Sequence, residues 1–196
     1  AGHETTTKAD AAGKWMVKLP VMAAGGPHKM TVSGKNTLEL SDVLVGEVWV
    51  CSGQSNMEMP LAGWGQVLNY EQEIRDALYP DIRLFQVKHT ISRTPLDTVN
   101  CPGWSACGPE TIPQFSAVAY FFGRELYKTL AVPIGLVHTS WGGTVAEAWT
   151  SEASLNTMPY FQELIAQMDS TYIQSQAEYD SIMANRKAQV AAGDSG

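Results

Sequence analysis

Ser55 in Gly53-Gln54-Ser55-Asn56 and the glycine pair Gly142-Gly143 in Ser140-Trp141-Gly142-Gly143-Thr144 are the residues whose types and spacing could do chemistry. A serine after the apolar run Val48-Trp49-Val50-Cys51 sits where a buried strand turns into a helix, the place at which a parallel-sheet hydrolase holds a nucleophile. Two adjacent glycines leave the backbone unobstructed, so an amide N–H there can approach a substrate oxygen and stabilise an oxyanion. Together they would suit acyl transfer, provided a base is at hand. Each also has a purely architectural explanation. Ser55-Asn56-Met57-Glu58 and Thr144-Val145-Ala146-Glu147 both fit the capping box, in which a hydroxyl accepts from the third helical N–H and a glutamate reaches back. Gly142-Gly143 fits a plain tight turn.

The supply of bases is thin. The four histidines are His3 near the terminus, His28 after a turn, His89 after a predicted strand and His138 inside one, where a histidine is usually packed. Cys51, Cys101 and Cys107 form no Cys-x-x-Cys pair, so neither a zinc ribbon nor a redox motif is indicated, and no metal or organic cofactor is expected. Cys51 reads as a small hydrophobe in a strand. Cys101 and Cys107 flank Pro102-Gly103-Trp104 and could pair locally in an oxidising compartment.

The elements that must position these groups follow from periodicity. Across 196 residues, 44% are hydrophobic, enough for a core, and a net charge of -7 offers no basic face to hold phosphates, which argues against a nucleic-acid partner. No apolar stretch approaches the ~18 residues that span a bilayer, and Ala1 to Asp10 lacks the pattern of a signal peptide. Residues 1–44 read as a β accessory region, part of a sandwich. Trp15, Val17 and Leu19 alternate, Gly25-Gly26-Pro27 supplies a turn, and Met30 with Val32 and Leu38 with Leu40 bracket a hairpin at Gly34-Lys35-Asn36.

From residue 45 the pattern becomes strand Glu47–Cys51, helix Gln66–Leu78, strand Ile82–Val87, a proline-rich loop, helix Ser116–Leu130, strand Ile134–Thr139 and a short helix from Thr144. Such alternation predicts an α/β fold with a doubly wound parallel sheet. Residues 159–190 predict an amphipathic helix, whose stripe of Phe161, Leu164, Ile165, Met168, Tyr172, Tyr179, Ile182 and Met183 is expected to cover a sheet or domain seam.

Several ordered motifs now point one way. Val48 to Glu58, Phe115 to Gly123, Val132-Pro133-Ile134-Gly135-Leu136 and Gly142 to Trp149, with Gly13-Lys14-Trp15 and Gly25-Gly26-Pro27 before them, resemble the sialate O-acetylesterase family of SGNH-hydrolase serine esterases. The resemblance covers roughly residues 13–155. It implies a three-layer α/β/α, flavodoxin-like sheet, here incomplete, with residues 45–196 forming the N-terminal portion of the esterase domain. It also implies that Ser55 attacks the acetyl carbonyl of O-acetylated sialic acid or another acetylated carbohydrate. The N–H groups of Ser55 and of Gly142 or Gly143 would then hold the oxyanion. Gln54, Trp141 and Glu147 are expected to contact the sugar, and an extracytoplasmic compartment is implied.

Two departures qualify that expectation. The family's histidine base lies in an Asp-x-x-His or Asp-x-His segment, and no aspartate here has a histidine two or three residues on. The later Gln-Gly-Glu segment is also absent. The base is therefore expected from the remainder of the esterase, either a C-terminal part or a second polypeptide, and the chain alone is expected to be nearly inactive. An acetylxylan-type esterase and a non-catalytic carbohydrate-binding or assembly module are the alternatives.

Overall fold

The computed structural model describes residues 2–92 and 94–191. Residues 1–143 and 144–196 form two compact units, which we describe separately.

In the first unit, β1 (Gly25–Ser33) and β2 (Thr37–Val45) form the expected hairpin, with Met30 opposite Leu40 and Val32 opposite Leu38. Gly25-Gly26-Pro27 lies inside the start of β1 rather than in a separate turn. Trp15, Val17 and Leu19 form no strand, and Trp15 and Leu19 are exposed. Alternation needs a partner strand to become a ladder, and residues 2–24 find none. Arg83 reaches the hairpin through a two-pronged bond to Asp42, at 2.7 and 2.9 Å, and this hydrogen bonding holds the Asp42 carboxyl below its ordinary pKa.

The main sheet has four strands: β3 (Glu47–Cys51), β4 (Tyr79–Gln86), β5 (Trp104–Cys107) and β6 (Ile134–His138), in the order β3-β6-β4-β5. The β3-β6 and β6-β4 pairs are parallel, and β5 runs antiparallel to β4. The α/β class is as expected. In detail, the third parallel strand is central, whereas the 2-1-3 order of a flavodoxin-like sheet would centre the first. Strand β5 falls in what reads as a proline-rich loop, because four residues are too few to show a period. The helix expected over Gln66–Leu78 is α2 (Tyr70–Asp76) only. Gln66 forms a bridge to Ala62, and Asn69 takes a left-handed conformation with φ 58°, so neither can continue a helix.

Helix α3 (Ala117–Leu130) covers one face of the sheet. Its start is set by Ser116, whose hydroxyl accepts from Ala119 N–H at 3.1 Å and donates to Met57 O at 2.6 Å. Gly123 permits close approach, since a Cβ there would lie 2.7 Å from Leu136 Cδ1. Tyr120, Ile82, Leu84, Ile134 and Leu136 are buried at that seam.

The second unit contains a 3-10 turn (Ala146–Trp149), α4 (Glu152–Leu155) and α5 (Pro159–Ala191). The long helix is where periodicity places it. Met168, Tyr172, Tyr179 and Ile182 of its stripe are exposed. Trp149 is also exposed, its indole N–H donating to Thr144 Oγ1 at 2.8 Å.

Candidate active site

Ser55 opens α1 (Ser55–Glu58), directly beyond the carboxyl end of β3. The capping-box expectation fails here. The N-cap position belongs to Gln54, which makes no side-chain cap bond, and Ser55 itself is the first helical residue. Among the described residues, the Ser55 hydroxyl makes no hydrogen bond within the protein. Thr144 does not cap either. Val145 precedes the 3-10 turn, Thr144 Oγ1 accepts from Trp149, and Glu147 sits in the first turn of that element in the second unit.

The parallel pairing of β3 with β6 continues past both strands. Thr139 N–H donates to Cys51 O at 3.0 Å, Trp141 N–H to Gly53 O at 3.0 Å, and Ser52 Oγ to Thr139 O at 3.3 Å. The loop after β6 is thereby laced to the Ser55 turn. A Cβ built on Gly142 would lie 3.4 Å from the Cα and Cβ of Ser55 and 2.7 Å from Glu58 Oε2. A side chain at this position would have to displace that carboxylate. Gly143 has φ +78° and open space around it.

Glu58 is the residue that sequence reasoning misassigned. It does not reach back to its own helix. Its Oε2 accepts the Gly142 N–H at 2.6 Å, and its Oε1 lies 3.0 Å from His89 Nε2. His89 Nε2 also lies 3.1 Å from Ser140 O. Both neighbours are acceptors, so Nε2 carries the proton and donates to them. The His89 ring stacks on Trp141 at 4.2 Å between centroids and 5° between planes. The signal for this arrangement, a glutamate three residues after the serine, is identical to that of a capping box, and only the fold separates the two.

His138 is a packed residue, as its position within a strand implies. It is 2% exposed, Gln86 Oε1 lies 2.7 Å from Nδ1, Ser140 Oγ bonds Nε2, and Phe115 meets the ring edge-on at 5.3 Å. Burial holds its pKa below the ordinary value, more than Glu58 nearby raises it. Among the described residues, no histidine bonds Ser55, and no cluster of three metal-ligating side chains occurs. The cysteines are free, so the local Cys101–Cys107 bond does not form. Cys107 is buried, which pushes its thiol up to about 12.

A cleft of about 290 Å³ opens at this edge of the sheet, lined among others by Glu58, Trp64, Gln86, Lys88, His89 and Gln114. Its volume lies just below the roughly 300–1,000 Å³ of small-molecule sites.

The family model described as carbohydrate esterase, sialic acid-specific acetylesterase matches residues 45–185. A sialate O-acetylesterase of Mus musculus is 40% identical over 172 residues, 79% of this chain and 31% of that protein. One from Homo sapiens is 40% identical over 154 residues, 72% and 29%. The crystal structure of a carbohydrate acetylesterase from Xanthomonas citri superposes with a TM-score of 0.72 at 43% identity, over 76% of this chain and 34% of that one. The chain thus spans about a third of the length of the relatives it matches. With the family model covering the sheet, the serine turn and the glycine loop alike, the chain belongs to the sialic acid-specific acetylesterase family of carbohydrate esterases.

Proposed function

We propose that this chain carries the nucleophile and oxyanion donors of a serine esterase that removes O-acetyl groups from sialic acid or a related acetylated sugar. The supporting observation is the Ser55 hydroxyl, uncommitted to capping, at the end of β3 with Gly142 against it. Ser55 Oγ attacks the acetyl carbonyl carbon and its proton passes to a base. The carbonyl oxygen becomes an oxyanion held by the N–H groups of Ser55 and Gly143, the sugar alcohol leaves with a proton, and water then releases acetate from acetyl-Ser55. Gly143 is the better second donor, because the Gly142 N–H is already given to Glu58.

The base comes from the remainder of the esterase. His89 Nε2 is committed to Glu58 and Ser140, and His138 is buried against Gln86 and Ser140. Trp141 and Gln54 flank the sugar, and the hairpin is part of an accessory β domain. The enzyme works outside the cytoplasm.

Acetate release from O-acetylated sialic acid and 4-nitrophenyl acetate tests this reading. The chain alone should be nearly inactive, and with the base-bearing part it should turn over. Ser55→Ala should lower kcat at least about 10³-fold and abolish fluorophosphonate labelling. Rapid turnover by the isolated chain would remove the need for an outside base, and undiminished activity of Ser55→Ala would remove the nucleophile. The Xanthomonas citri protein is a carbohydrate acetylesterase, and a second reading takes another acetylated carbohydrate, of the acetylxylan type, as the substrate. A panel of acetylated xylan and acetylated sialic acid separates the two.

A further inference from the structure

Both oxygens of Glu58 are engaged outside its own helix, and the groups they hold come from different loops. Oε2 takes the Gly142 N–H beyond β6, and Oε1 pairs with His89 beyond β4, while Glu58 itself belongs to the turn beyond β3. At 2.6 Å the bond to Gly142 falls among charge-assisted hydrogen bonds, roughly twice as strong as neutral ones. His89 is fixed in turn by Ser140 O and by stacking on Trp141.

Consider what else could hold the glycine pair. Neither Gly142 nor Gly143 has a side chain to pack, Gly143 has nothing around its missing Cβ, and glycine is the most permissive backbone residue. An oxyanion donor works only if it is oriented before charge develops. Backbone bonds must therefore do the orienting. Trp141 N–H to Gly53 O fixes the residue before the pair, and the Glu58 carboxylate fixes the Trp141–Gly142 peptide at the start of the pair.

We infer that Glu58 is a positioning residue for ester hydrolysis: its carboxylate, steadied by His89, locks the Trp141–Gly142 peptide in register with Ser55, the anchor from which the next amide, Gly143 N–H, is presented to the oxyanion. This rests on the assignment of Ser55 and Gly143 proposed above. Glu58 is not itself the base, since both of its oxygens are occupied. The role differs from a simple fold contact in that its loss should act on the transition state and leave ground-state sugar binding nearly intact.

The test uses the esterase with its base-bearing part and counts active sites by the 4-nitrophenyl acetate burst. Glu58→Ala should lower kcat per titrated site about 10- to 100-fold, short of the roughly 10²- to 10³-fold loss from deleting a donor outright, with KM within about threefold. Glu58→Gln keeps an acceptor for the Gly142 N–H and should recover to within about tenfold of the parent. Should Glu58→Ala fail to fold by its melting temperature, Glu58→Gln decides alone, through a kcat loss of about three- to tenfold. Unchanged kcat per site, or a rise in KM without a loss in kcat, would overturn the inference. Neither result would touch the nucleophile, which stands or falls with Ser55→Ala.

Discussion

The two faces of the main sheet are built from the same three parallel strands and meet opposite fates. On the face toward α3, Ile82, Leu84, Ile134 and Leu136 are buried and Trp49 meets Phe122 edge-on at 5.1 Å. On the other, Val48 is 63% and Val50 68% exposed, and Trp104, half exposed, leans on Phe85 and over Gly135. Residues one position apart in β3 thus differ only in the side to which the pleat sends them. The difference teaches that a continuous apolar run such as Val48-Trp49-Val50 specifies a strand meant for cover on both sides. The covered face also helps to hold the serine turn, because α3 begins at Ser116 and Ser116 donates to Met57 O in α1.

The strongest way to break the comparison is to empty the covered face. Leu136→Ala, at a fully buried position against Gly123, should cost about 2 to 5 kcal/mol of unfolding free energy. Urea denaturation followed by circular dichroism measures it. A loss below 1 kcal/mol would mean that the α3 seam does not organise the unit.

Much of this face was legible in the sequence, and the reasons are local. Helical spacing of Val118, Phe121, Phe122 and Leu126, stopped at Val132-Pro133, places α3 to within a residue, whereas the residues it buries are Ala117, Ala119, Tyr120 and Gly123. The hairpin at Gly34-Lys35-Asn36 was legible for the same reason. Strand β5 was not, since its pairing with β4 is a tertiary matter, and nor was the central position of β6. At the site, Ser55 and the glycine pair stand out by type and by motif. Glu58 does not, because the sequence offers a local partner for its carboxylate while the fold offers His89 and Gly142.

A second prediction sharpens the covered face by charge. His138 shares that face with Leu136, and burial favours its neutral form in the folded state. Below the unfolded value of about 6.5 the unfolded chain binds a proton that the native chain does not, so stability rises with pH there and falls as pH drops toward the lower folded pKa. Below the folded value both states are protonated and this contribution is fully lost. The slope in that window should be positive, bounded by the ~1.4 kcal/mol per pH unit of a single proton, and His138→Gln should flatten it. Glu58 and His89 act on His138 electrostatically, so Glu58→Gln combined with His138→Gln tells their share apart. A slope that survives His138→Gln would assign the pH dependence to another group.

The smallest expected effect lies on the open face. Val50→Ser removes two methyl groups from a side chain that is already 68% exposed, so little transfer free energy is lost with them. Stability of the isolated chain should change by no more than about 0.5 kcal/mol, the range of ordinary surface substitutions, despite the position of Val50 within the apolar run that leads to Ser55. Trp49→Ser, one residue away and turned toward Phe122, supplies the matched control and should cost several times more. Equal losses at the two positions would mean that the strand is buried on both sides in solution, and the contrast between its faces would disappear.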